Sequence, residues 1–206
     1  MSGVDPVTKR RLDGLADDLF VEFAGKVERK SIAALMADSA ARLAETAAIH
    51  DYLPLLAYRL TKERLSATVR VEHEGEDGRR DVVFVSLSGG GRGQIAAALT
   101  RLLSDNEVAV HSAGTAIHGQ IDPAVSVAIS ERGIDASDAF ARPIPPEVLR
   151  ATDVVVTMGH SVGVFEIPEG VLHEDWRVGD PVGAPIDEVR RVRDDIQRGS
   201  VCCSSG

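Results

Sequence analysis

The 206-residue chain is poor in aromatic side chains, 4% of the total, and holds one tryptophan and two cysteines. The cysteines, Cys202 and Cys203, are neighbours in a polar stretch, RGSVCCSSG. Adjacent cysteines cannot staple distant parts of a chain, so a disulfide-supported fold is excluded. They are expected to be thiols of a flexible tail, 201–206, the alternative being a mobile pair that reaches a site. No apolar run approaches the roughly 20 residues of a membrane-spanning helix, and the opening MSGVDPVTKRRLDGLADD lacks the apolar core of a secretory signal. A cytoplasmic location without membrane association is the expectation. A basic excess is also missing: the net charge is −9, with 11 basic and 10 acidic side chains in residues 1–70 and 12 and 22 in the remainder. That balance argues against nucleic acid as a partner and leaves room for one small anion in a local basic pocket. His111 and His118 stand at no metal-ligand spacing from carboxylates or cysteines, so no metal and no cofactor are expected.

A hydrophobic share of 44% and a charged share of 27% fit a globular protein. The length allows one ordinary domain and a small companion. In the first segment Leu12, Leu15, Leu19, Phe20 and Phe23 recur at helical spacing. After Gly25 the pattern repeats in Ile32, Leu35, Met36, Ser39 and Leu43, and again in Leu53, Leu56 and Leu60 within 52–65. Residues 1–71 are therefore expected to form a three-helix bundle whose apolar stripes pack on one another, with a partner-binding or self-associating face as the second reading. EHEGEDGRR, 72–80, has no apolar residue and marks a solvated linker.

From Asp81 the texture changes to short β-branched runs, VVFV at 82–85, VAV at 108–110, DVVVTM at 153–158 and VLHE at 171–174. Helical stretches alternate with them at 94–103, 123–131 and 188–197. Continuous apolar strands in alternation with helices predict an α/β domain over 81–200, a four-stranded parallel sheet buried on both faces. The run EVRRVRDDIQR, 188–198, reads as a surface helix with charge pairs.

The chemistry lies in VVFV-SLSGGGRG-QIAAAL, a buried strand, a glycine-rich turn and a helix. Such a turn aims backbone N–H groups and the positive end of the helix at one point, so Ser88, Gly89, Gly90, Gly91, Arg92 and Gly93 are the candidate anion-binding residues. Arg92 supplies a fixed, bidentate donor for a tetrahedral oxyanion. A dinucleotide turn is rejected because Gln94 stands where the last glycine of G-x-G-x-x-G would fall, counted from Gly89; a P-loop is rejected because no Lys-Ser/Thr follows.

A strand, one residue, five residues and an arginine is also the layout of the low-molecular-weight protein tyrosine phosphatases and the arsenate reductases of the same fold, which this domain resembles. The resemblance extends to His111-Ser112-Ala113-Gly114-Thr115, which looks like the family's strand-ending SAGT. It continues through Thr157-Met158-Gly159 and Glu174-Asp175-Trp176, and ends in Asp180-Pro181, where the family carries its aspartate general acid. The helical preface resembles the N-terminal extension of actinobacterial arsenate-reductase-like proteins. The resemblance implies a nucleophile at position 86, an anion clamp at Arg92 and a general acid at Asp180.

Three positions depart from the family together. Ser86 replaces the nucleophilic cysteine, Gly93 replaces the hydroxyl residue after the arginine, and Gly89 replaces a loop-bracing asparagine. A cysteine pKa near 8.5 needs a shift of only a few units to give a thiolate, whereas a serine hydroxyl starts far higher and the loop has no histidine base. Arsenate reduction further requires a sulfur that bonds arsenic and is then recycled. A single Cys→Ser exchange explains Ser86 but not Gly89 and Gly93, which favours a loop degenerate by nature. The expectation is a phosphatase-like or arsenate-reductase-like protein that binds phosphate, arsenate or a phosphorylated partner with little or no thiol catalysis. Two alternatives are an active phosphatase or reductase using Ser86 or the tail thiols, and an interaction module with a vestigial pocket. Asp180 has the further reading of a plain Asp-Pro turn, Trp176 that of a packing residue, and His160 that of a residue lining the crevice.

Overall fold

The computed structural model describes residues 5–23, 25–44, 52–72, 78–117, 120–136, 139–159 and 166–203, with side chains to residue 199. The chain divides into two compact units, Met1–Glu76 and Asp77–Gly206. His118, His160 and linker residues 73–77 lie outside the described residues.

The first unit holds three helices, α1 (Pro6–Glu22), α2 (Arg29–Ala44) and α3 (Leu53–Glu72). Asp5 caps α1 by accepting from Val7 N at 2.9 Å and Thr8 N at 3.1 Å, with Pro6 opening the helix. Each helix packs on the other two through Leu12, Leu19, Ile32, Met36, Leu43, Leu60 and Leu65. α3 runs seven residues beyond the expected end at Leu65, and within it Arg64 is buried. Its guanidinium donates to Asp38 Oδ2 at 2.7 Å and Ser39 Oγ at 3.0 Å. Phe20, placed on the apolar stripe by its spacing, is instead exposed.

The second unit is an α/β domain with a four-stranded, wholly parallel sheet in the order β2-β1-β3-β4. The strands are β1 (Asp81–Ser86), β2 (Ala109–Gly114), β3 (Val154–Met158) and β4 (Leu172–Trp176). Helices α4 (Arg92–Leu103), α5 (Pro123–Ser130) and α7 (Ile186–Cys203) cover the face formed by Val82, Phe84, Val110, Val154, Val156 and Met158. Val83, Val85 and Val155 alternate to the opposite face and are fully buried; a short helix that the sequence reading missed, α6 (Pro146–Ala151), abuts β1 there.

Two expectations are corrected. β4 is not a buried strand: Leu172 through Asp175 are exposed, since β4 is the sheet's edge and its Leu-His-Glu-Asp sequence is mostly polar. α7 starts at Ile186 and continues past Gln197 to Cys203, so both cysteines lie on the last helical turn rather than in an irregular tail.

From β1 the chain steps to β2 on one side and then to β3 on the other. The loop after β1 therefore opens at the point where the winding reverses, the usual place for a ligand crevice in an open α/β sheet.

Candidate oxyanion site

Ser86 ends β1 and Arg92 begins α4, so the segment between them closes over the carboxyl end of the sheet. Four backbone bonds lock it to its surroundings: Thr115 N donates to Ser86 O (3.1 Å), Ala116 N to Leu87 O (2.8 Å), Asp122 N to Gly90 O (3.3 Å) and Gln94 N to Gly91 O (3.1 Å). In each the loop contributes its carbonyl and so turns it outward. The N–H groups of Ser88, Gly89, Gly91, Arg92 and Gly93 donate to no acceptor among the described residues, and no side chain caps α4 at Gly91. An uncapped helix N-terminus under a turn of free N–H groups is an arrangement that takes an anion.

Gly89 has φ +68°, and a Cβ there would stand 2.9 Å from Gly114 N. The loop thus packs backbone to backbone on the end of β2, and a side chain at 89 has no room unless the backbone shifts. The loop is braced by Gln94, a residue absent from the candidates read from the sequence. The buried Gln94 amide donates to Gly89 O at 2.9 Å and to Phe140 O at 3.0 Å, tying the loop to the 139–143 segment. Gln94 is one of three polar side chains buried on α4, with Arg92 and Thr100, and no local signal set it apart.

Ser86 is 2% exposed and its hydroxyl has no hydrogen-bond partner among the described residues. Ser112 Oγ, on β2, is likewise buried and unpartnered. Both border Gly93: a Cβ at that position would meet Ser112 Oγ at 2.7 Å and Ser86 Oγ at 3.4 Å. Ser112 Oγ therefore occupies the space a Cβ on residue 93 would use, and introducing a serine at 93 requires Ser112 to move.

The Arg92 guanidinium lies on Gly159, whose φ of +73° and missing Cβ make the space; a Cβ there would come within 2.7 Å of Nη1. Nη1 donates to Val178 O at 3.2 Å and Nη2 to Asp180 Oδ2 at 3.3 Å, while the buried Nε–H has no acceptor. Asp180 is also the turn residue its sequence suggested, because its Oδ1 accepts from Val182 N at 3.2 Å. Asp122, likewise missed, organises the rim. Its Oδ1 caps α5 through Ala124 N at 2.8 Å and its Oδ2 accepts from Gly183 N at 2.8 Å, joining the 181–183 turn to the rim. An Asp before Pro123 is the signature that marks such a cap.

Trp176 packs rather than walls a pocket. Its ring meets Phe84 at 5.6 Å between centroids, and its indole N–H donates to Glu174 Oε2 at 2.8 Å. His111 is not isolated from carboxylates, as its spacing suggested: the fold brings its Nε2 to 3.0 Å from Asp81 Oδ2. Asp81 stands five residues before Ser86, about 16 Å along the strand, so this pair is no part of the loop. Among the described residues no group of three or more His, Cys, Asp and Glu is arranged to hold a metal ion. None of the described helices is long and apolar enough to cross a membrane.

The low molecular weight phosphotyrosine protein phosphatase family matches residues 81–201, and the protein-tyrosine-phosphatase-like N-terminal domain matches residues 12–69. Arsenate reductase 1 of Staphylococcus epidermidis is 31% identical over 121 residues, 58% of this chain and 91% of its own length. The structure of the thioredoxin-dependent arsenate reductase of Corynebacterium glutamicum is similar with a TM-score of 0.83 and 31% identity, over 94% of each chain. An arsenate reductase in its phosphate-binding state gives a TM-score of 0.54 at 26% identity, over 61% of this chain and 97% of its own.

Proposed function

Because the chain belongs to the low-molecular-weight phosphotyrosine protein phosphatase family, we propose that it is an oxyanion-binding pseudoenzyme of that family, holding phosphate, arsenate or a phosphorylated partner in the loop from Ser86 to Arg92 with little or no thiol chemistry. The reading rests on one contrast within the loop. The donors of an anion site are kept, namely the free N–H groups, the helix N-terminus and the buried Nε–H of Arg92. The nucleophile is not: Ser86 carries a hydroxyl in place of a thiol, and no base among the described residues is bonded to it. Likeness to a relative described as phosphate-binding supports the same ligand class here.

The rival reading, an active reductase, draws on likeness along nearly the whole chain to a thioredoxin-dependent arsenate reductase. One set of measurements separates the two. Calorimetry is expected to record phosphate and arsenate binding that Arg92→Ala abolishes, with no turnover of an aryl phosphate and no thiol-dependent arsenate reduction. Turnover of either kind that Arg92→Ala removes would refute the pseudoenzyme. Absence of binding by phosphate, arsenate and sulfate would instead favour a vestigial pocket.

A further inference from the structure

We infer that Asp180 acts in this chain as a resident counter-charge on Arg92 that sets the affinity and charge selectivity of the oxyanion site, a role that rests on the oxyanion-binding reading above. The guanidinium is held on three sides: Gly159 lies beneath it, Val178 O accepts from Nη1, and the Asp180 carboxylate accepts from Nη2 at 3.3 Å. These two bonds engage two of the guanidinium's five N–H groups, and the Nε–H is buried with no acceptor among the described residues, so three N–H groups remain for a ligand. With Asp180 in place the arginine brings no net charge to the site. The uncommitted N–H groups let a tetrahedral anion bind beside the carboxylate without displacing it from Nη2.

Bound there, the ligand is penalised by the carboxylate in proportion to its charge. Asp180 is half exposed, so the appropriate dielectric is close to that of water. At a separation of about 6 Å in water, Coulomb repulsion between unit charges corresponds to about a threefold change in affinity per unit of ligand charge. The expected penalty is thus about threefold for a monoanion and about tenfold for a dianion of the same shape. Asp180 retains a structural duty, since its other oxygen closes the turn by accepting from Val182 N. Asp180→Asn keeps an acceptor for that bond and removes the charge; it also replaces the acceptor of Nη2 with an NH2 group, a change common to both anions in a comparison of ligands.

The test uses sulfate and perchlorate, tetrahedral anions of two charges and one, titrated by calorimetry at low ionic strength into the full-length protein, Asp180→Asn and Asp180→Ala. The expected result is sulfate binding tightened about tenfold and perchlorate about threefold in Asp180→Asn, with Asp180→Ala also tighter than wild type for sulfate. Equal gains for the two anions, or unchanged or weakened sulfate binding in Asp180→Asn, would overturn the counter-charge role while leaving oxyanion binding intact. Weaker sulfate binding in Asp180→Ala would overturn it as well, because the carboxylate would then be holding the arginine in place for the ligand. No binding of either anion by all three proteins would overturn the oxyanion-binding reading and this role together.

Discussion

Replacing Gln94 with leucine removes the two donors that fasten the oxyanion loop while keeping the side chain's approximate volume. Gln94 is 5% exposed, and its amide serves Gly89 O at 2.9 Å and Phe140 O at 3.0 Å. Leaving a buried carbonyl without a partner costs about 1–3 kcal/mol. The two together lose about 2–4 kcal/mol, since carbonyls tolerate partial satisfaction better than N–H groups do. The leucine returns about 1 kcal/mol through its added apolar surface, so the net loss is about 1–3 kcal/mol. Against a urea dependence of about 1–3 kcal/mol/M, the midpoint should fall by about 0.3–3 M. The chain's one tryptophan, Trp176, lies in the same unit and reports its unfolding by fluorescence. Freed from Gln94, the Gly89 carbonyl can rotate toward the point where the loop N–H groups converge, so phosphate affinity should fall about tenfold. Gln94→Glu should be worse at neutral pH, because it sets a carboxylate against the same two carbonyl oxygens. A urea midpoint within 0.2 M of wild type for Gln94→Leu, together with unchanged phosphate affinity, would show that the loop does not depend on this brace.

Two further outcomes are expected. Gly89→Ala should destabilise the second unit by at least about 2 kcal/mol, since it combines a left-handed conformation, worth about 1 kcal/mol, with a collision at Gly114 N. Gly183→Ala, at φ +72° with nothing within 4 Å, should cost only the conformational part, and equal losses for the two variants would remove the collision argument. The carboxyl of Glu131 is held at about 2, below its ordinary 4.5, chiefly by hydrogen bonds from Arg190, with Arg193 assisting against the opposing effect of burial. Its folded value is depressed, so its contribution is complete above about pH 4.5 and is lost as pH falls toward 2. The stability gap between wild type and Glu131→Gln should therefore close across that range, and a gap constant with pH would contradict the assignment.

Much of this protein could be read from local pattern alone. Continuous β-branched runs located β1, β3 and the start of β2, and a glycine-rich stretch marked 86–93 as the turn between a buried strand and a helix. These signals are short-range consequences of backbone geometry and burial, which is why they survive without a structure. Aspartates before prolines, at positions 5, 122 and 180, all proved to be caps or turns, although only Asp180 had been singled out. β4 and α7 were read less well. The edge position of β4 depends on strand order, and the extent of α7 depends on its packing against α4 and α5.

The sequence by itself determined the α/β class and the strand-turn-helix that carries the loop and its arginine. Only the tertiary structure decided what surrounds and holds that loop. Gln94 braces the loop from a helix, Ser112 fills the space above Gly93 from a neighbouring strand, and Gly159 makes room for the guanidinium that Asp180 neutralises. The two last contacts join residues 67 and 88 positions from Arg92, and Ser112 reaches Gly93 only because β2 pairs with β1. Such contacts are set by strand order and by which backbone lies within a few ångströms of which side chain, and no local pattern encodes that.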